Sequence, residues 1–171
     1  MNKIFCGLRS ADSGSLRNQR FHYYAIYTVL FIPVAFLCFF GFLLDGKSLI
    51  WKVDGLNQHY SSLVYFGNYL RSIISSLFST GKLSIPLWDA NIGYGSDVLS
   101  TLNYYVIGDP LNLLSVFVPE SKVEYLYEFL IFLRMYLAGI AFSAYCRMMK
   151  KGRFATLCGT FTYAFCAFAP V

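Results

Sequence analysis

Apolar and polar positions fall into three regimes along the chain. From Tyr23 to Leu44 the run YYAIYTVLFIPVAFLCFFGFLL holds 22 residues without a charge. At the helical rise it reaches about 33 Å, enough to cross a bilayer core, and it predicts a transmembrane helix over 23–44, kinked near Pro33. A second run, YLYEFLIFLRMYLAGIAFSAYC, predicts a span over 125–146, with Glu128 near one end and Arg134 well inside. A third begins at Phe154 and is still apolar at Val171, so 154–171 reads as the start of a further span. A chain that stops inside an uncapped hydrophobic run is expected to be the amino-terminal fragment of a longer membrane protein.

Between the first two runs the period changes. In LNQHYSSLVYFGNYLRSIISSLF, residues 56–78, the positions Leu56, Tyr60, Leu63, Phe66 or Gly67, Leu70, Ile74 and Leu77 recur at steps of three and four. That is the signature of an amphipathic helix, too polar to span, which should lie along the membrane surface or pack on neighbouring helices. Over residues 86–119, PLWDANIGYGSDVLSTLNYYVIGDPLNLLSVFVP, periodicity is lost. Gly93 and Gly95 permit tight turns and Pro86 and Pro110 interrupt regular structure, so an ordered irregular loop with short helices is expected. The fold class that follows is an all-α polytopic integral membrane protein.

Composition agrees: 57% of the 171 residues are hydrophobic and only 13% charged, values of a membrane protein. Charge adds orientation. Residues 1–22 carry Lys3, Arg9, Arg17 and Arg20 against the single acid Asp12, and the turn 147–153 carries four basic residues and no acid. The segment 45–124 holds five basic and seven acidic residues. Positive segments stay cytoplasmic, so 1–22 is expected as a cytoplasmic basic tail, 45–124 as an extracytoplasmic loop and 147–153 as a cytoplasmic turn, in a multi-pass membrane protein with a cytoplasmic amino terminus. The net charge of +5 belongs to the cytoplasmic flanks, and no nucleic-acid partner is implied. A cleaved signal peptide would have a shorter apolar core ending in a small-x-small site, so an uncleaved anchor is the better reading. The five cysteines are placed in helices or on the cytoplasmic side, none in the outer loop, which implies no disulfide, metal cluster or cofactor.

The loop carries the candidate chemistry. Asp54, in WKVDGLNQHY, would serve either as an N-cap of the amphipathic helix or as a reactive carboxylate, since Gln58, His59 and Tyr60 follow it toward the interface where a lipid-linked substrate presents its head. Asp89, Asp97 and Asp109 are each suited to capping turns. With Trp88, Tyr94, Tyr104 and Tyr105 they also resemble a sugar-binding surface, aromatic faces for C–H surfaces and carboxylates for hydroxyls. Lys52, Arg71 and Lys82 are candidate phosphate contacts, with ordinary headgroup contact as the plainer role. Arg134 is costly in lipid and needs a partner or a polar cavity; Glu128 lies too far around the same helix to serve it well.

The succession of a first span, DGLNQHY, a long amphipathic segment, PLWDANIGYGSD and YYVIGDPLNLL closely resembles the amino-terminal part of the bacterial YfhO membrane-protein family, over nearly the whole chain. That family is placed in the C-type glycosyltransferase superfamily, so the resemblance implies a GT-C-like helical membrane enzyme. It would take a polyprenyl-phosphate sugar donor outside the cytoplasmic membrane and decorate a cell-envelope polymer such as teichoic acid. It also implies a reactive acid in the first outer loop, the place Asp54 occupies; on the reading of the residues, Gln58, His59, Tyr60 and the loop aspartates and aromatics are then the expected substrate contacts, and Lys52, Arg71 and Arg134 the expected phosphate contacts. The fragment alone would be inactive. A multispan transporter or lipid flippase is the alternative; it should concentrate polar residues at midplane in broken helices, whereas here most lie in the loop.

Overall fold

The computed structural model describes residues 3–166 and is predominantly helical. Two compact units are present, one made of residues up to Asp45 together with those from Phe132 onward, the other of Gly46–Ile131.

In the first unit, helix α1 covers Lys3–Leu44 and runs through Pro33. The helix extends beyond the span: residues 3–22, expected as a cytoplasmic tail, continue it. They contain no proline, and Arg17, Gln19 and Arg20 beside the apolar stretch are good helix formers, whereas Gly7, Gly14 and the nearby serines are not. The stretch apolar enough to cross a membrane is Phe21–Phe42. A second such stretch, Glu120–Met148, contains α4, Val123–Met148. Helix α5 covers Arg153–Ala164, and residues 167–171 of the expected third span lie outside the described residues.

Tyr27, fully buried, organises the packing of this unit. Its ring stacks on Tyr136 at 5.4 Å and meets Phe161 at 5.5 Å, and its hydroxyl donates to the Tyr136 carbonyl at 3.1 Å. Gly139 lies directly beneath that hydroxyl, where a β-carbon would overlap it. A polar chain runs beside it. Thr160 Oγ1 donates to the Thr156 carbonyl (2.7 Å), so it accepts from Ser143 Oγ (2.8 Å), and Ser143 in turn accepts from the Tyr23 hydroxyl (3.1 Å). Each hydroxyl has one proton to give, and that fixes the direction. Small and hydroxylated residues at helix contacts are how apolar helices associate where lipid supplies no hydrophobic drive.

In the second unit, a π-helical turn at Gly55–Tyr60 leads into α2, Ser61–Thr80. The chain then forms a two-stranded antiparallel ladder, β1 (Trp88–Asp89) with β2 (Ser96–Asp97), in register Trp88 to Asp97 and Asp89 to Ser96. Gly93 and Gly95, with φ of 61° and 101°, make its turn. Helix α3 (Val98–Leu102), a second π-turn (Asn103–Ile107) and a 3-10 helix (Pro110–Phe117) follow. Leu63, Phe66 and Gly67 of α2 are buried, as are Val98, Leu102, Val106, Asn112, Ser115, Val123, Leu126 and Leu130. Of the apolar positions on 56–78, Leu63, Phe66 and Gly67 are buried within the unit, whereas Leu56, Ile74 and Leu77 are exposed.

Candidate functional site

Local chain geometry places Asp54. Val53 is in the left-handed region with φ 71°, unusual for a β-branched residue and costing about 1–2 kcal/mol. The turn is held by the Leu56 amide donating to the Trp51 carbonyl at 3.0 Å, the five-residue span of a π-turn, and by the Asn57 amide donating to Val53 at 2.8 Å. Gly55 lies against the Trp51 indole so closely that a methyl would overlap the ring. At the mouth of this turn Asp54 is half-buried. It makes no side-chain cap, because its own backbone is already helical (φ −72°, ψ −40°), whereas a capping side chain needs an extended backbone to fold back on the first amides. Its Oδ1 instead accepts from Gln58 Nε2 at 3.1 Å. The capping role is thereby removed, and a carboxylate is left on a strained π-turn, a backbone form that concentrates at functional sites.

The second π-turn faces the first. It is closed by the Gly108 amide donating to the Asn103 carbonyl at 2.9 Å, and it carries Tyr104 and Tyr105, whose rings meet the His59 imidazole at 6.0 and 5.5 Å. Tyr104 is 79% exposed. Tyr60 turns to Tyr127 at 6.2 Å. Asp54, Gln58, His59, Tyr104 and Tyr105 are thus carried on two adjoining π-turns: a proton acceptor, an amide, an imidazole and an open aromatic face.

The remaining aspartates of the loop hold its backbone. Asp89 accepts from the Tyr65 hydroxyl and from the backbone and side-chain nitrogens of Asn91 at 2.8 and 3.0 Å, which pins the hairpin to α2. The Tyr65 bond foremost, then those from Asn91, hold the Asp89 carboxyl below its usual value, while burial first and Asp89 second push the Tyr65 phenol up. Asp97 caps α3, accepting from the Ser100 amide at 2.7 Å and its hydroxyl at 2.6 Å, and these bonds likewise lower its carboxyl. Asp109 caps the 3-10 helix through the Leu111 amide at 2.9 Å. Trp88, 66% exposed, and Tyr94 stand on the hairpin surface.

Among the cations, Arg71 donates from Nη1 to the carbonyls of Ser115 (2.8 Å) and Val118 (2.6 Å) and from Nη2 to Asn68 Oδ1 (2.7 Å). Its fork therefore holds the carboxyl end of the 3-10 helix, which no pattern in the sequence signals. Lys52 and Lys82 are exposed, and Arg134 is half-buried on α4. Glu128 accepts from the Leu49 amide at 3.1 Å. Sequence reasoning passed over Asp45, the acid that immediately follows α1 and whose amide donates to the Gly41 carbonyl at 3.1 Å; its position alone could have brought it forward.

Residues 26–171 match the family model described as bacterial membrane protein YfhO. No curated protein and no solved structure gives a match. The family match takes in both adjoining π-turns, the hairpin, the second candidate span and most of the first, and the chain belongs to the YfhO family of bacterial membrane proteins.

Proposed function

We propose that this chain contributes the first outer-loop machinery of a membrane glycosyltransferase, which moves a sugar from a polyprenyl-phosphate donor to a cell-envelope polymer such as teichoic acid on the extracytoplasmic side. The observation that carries the reading is Asp54: half-buried, not used as a cap, and presented by a left-handed valine. Attack of an acceptor hydroxyl on the anomeric carbon needs a base for the hydroxyl proton as the bond forms. Asp54 takes that proton, while Gln58, through its bond to Oδ1, orients the carboxylate. The exposed ring of Tyr104, braced by His59 and Tyr105, offers a sugar its face, and Trp88 offers a second. Lys52 is the loop's candidate for the charge that gathers on the departing polyprenyl phosphate as the anomeric C–O bond breaks. Asp89, Asp97 and Asp109 keep the loop in shape and touch substrate only through lone pairs left over from capping.

The test is Asp54→Asn in the full-length protein, with Asp45→Asn beside it, reading transfer of labelled sugar from polyprenyl phosphate in membrane vesicles. Loss of general-base catalysis should lower the rate by about a hundredfold or more at normal membrane abundance, with Asp45→Asn close to wild type. Normal transfer by Asp54→Asn would remove the base assignment, and loss in Asp45→Asn alone would move it to that residue.

A further inference from the structure

Two aromatic faces stand at different levels in the second unit. Tyr104 belongs to the deeper one. It meets His59 just before α2, and the next residue, Tyr60, meets Tyr127, which lies inside the apolar stretch Glu120–Met148. Further along α2 the partners step back out of that stretch. Asn68 donates to Glu120 Oε2 at 3.3 Å, and Arg71 donates to the Val118 carbonyl at 2.6 Å. Helix α2 therefore runs antiparallel to the start of α4 and leaves the apolar level as it goes. The hairpin is fastened to α2 on the way, by the Tyr65 hydroxyl to Asp89 and by the Tyr69 hydroxyl to the Pro86 carbonyl at 2.9 Å. At the helical rise these fastenings stand about 9 and 15 Å beyond His59.

The hairpin makes Trp88 a fixed platform. Side chains alternate along a strand, so Asp89 turns to α2 while Trp88 turns outward and is exposed. Gly95, with φ 101°, lies under the indole, where a β-carbon would come within 3.1 Å of the ring. Asp97 is directly across the ladder from Trp88, which puts a carboxylate on the same face.

We propose that this hairpin face is the subsite for the acceptor polymer, separate from the face that takes the lipid-linked sugar. A hydroxyl-rich ring of the polymer lays its C–H surface on the Trp88 indole, whose face carries the negative part of the ring quadrupole, and a hydroxyl donates to Asp97. Depth assigns the two substrates. A sugar joined to a membrane lipid is presented where the apolar level ends, the level of Tyr104. A cell-envelope polymer is water-borne and meets the chain further from that level, at Trp88. The identity of the two substrates rests on the glycosyl-transfer reading, whereas their separation rests on the register of α2 against α4.

The test is binding to the full-length protein in nanodiscs, with purified unglycosylated teichoic acid and a polyprenyl-phosphate sugar as the two probes. Trp88→Ala should weaken teichoic acid binding about tenfold, the size of one lost aromatic contact, and leave binding of the lipid-linked sugar within about twofold. Tyr104→Ala should do the reverse. Trp88→Phe keeps a ring and should recover most of the affinity. Trp88→Leu keeps apolar cover over Gly95 without a ring, and should bind polymer as weakly as Trp88→Ala, so a loosened hairpin is told apart from a lost platform. In the transfer assay the Trp88→Ala defect should vanish at saturating polymer. The proposal falls if Trp88→Leu binds polymer like wild type, if Trp88→Ala weakens both probes alike, or if it weakens only the lipid-linked sugar. A protein that transfers sugar without Trp88-dependent polymer binding would overturn the subsite and keep the transfer reading. One that binds polymer through Trp88 and transfers nothing would do the opposite.

Discussion

Arg71 separates a structural from a ligand-binding arginine with one conservative substitution. Its two short bonds reach the Ser115 and Val118 carbonyls at 2.8 and 2.6 Å, and a hydrogen bond with a charged partner contributes about 1.5–3 kcal/mol. Removing both by Arg71→Ala should weaken the attachment of the 3-10 helix by roughly 3 kcal/mol, since paired bonds from one group do not add fully. Arg71→Lys keeps the charge but gives up the Nη2 bond to Asn68, and its shorter side chain does not bring the ammonium fully to the Nη1 position, so it restores about half. Amide exchange of the 110–122 segment, in the full-length protein in nanodiscs, reads this directly as local opening. The opening constant should rise about a hundredfold in Arg71→Ala and about tenfold in Arg71→Lys. If Arg71→Lys matches wild type, or if neither variant changes exchange in this segment, the clamp reading is wrong and a point-charge role at a phosphate takes its place.

Tyr65→Phe should raise the pH at which Asp89 takes up its proton. The carboxyl is lowered in the folded protein chiefly by the Tyr65 bond, so its stabilising contribution is whole above the ordinary carboxylate range and is lost as pH falls through the lowered folded value; an unmoved midpoint in a 13C carboxyl titration would refute the coupling. Gly139→Val should destabilise the first unit by about 1–3 kcal/mol through overpacking against the Tyr27 hydroxyl, read as a lower thermal midpoint in detergent, and an unchanged midpoint would show that the contact yields freely. For orientation, a cysteine at Ser96 should react with an impermeant reagent in intact cells and one at Lys151 should not; the opposite pattern would invert the topology.

Run length and charge made the two candidate spans and the loop between them readable, because a bilayer sets a minimum length and excludes charge. Helix ends were less readable: α1 begins at Lys3, although Gly7, Gly14 and the serines around Asp12 are weak helix formers that give no sign of its running so far. Capping by Asp97 and Asp109 follows from residue type and local chain direction, and both do cap. The same reasoning left Asp54 open between cap and reactive carboxylate, since a π-turn is decided by the Trp51 ring, Gly55 and the left-handed Val53 acting together. The Arg71 clamp was out of reach for another reason, its acceptors lying more than forty residues along the chain.

The adjoining π-turns have an evolutionary corollary. A π-turn holds one residue more than an α-turn between bonded amides, so it is one indel away from ordinary helix. Deleting one residue within 55–60 would let α2 continue regularly while rotating Asp54 by about 100° about the axis, leaving hydropathy, charge and helix content almost untouched. Homologous chains with a one-residue gap at this place should keep the membrane architecture and lose the constellation, so alignment length between Trp51 and Ser61 tells more about shared chemistry than overall similarity does.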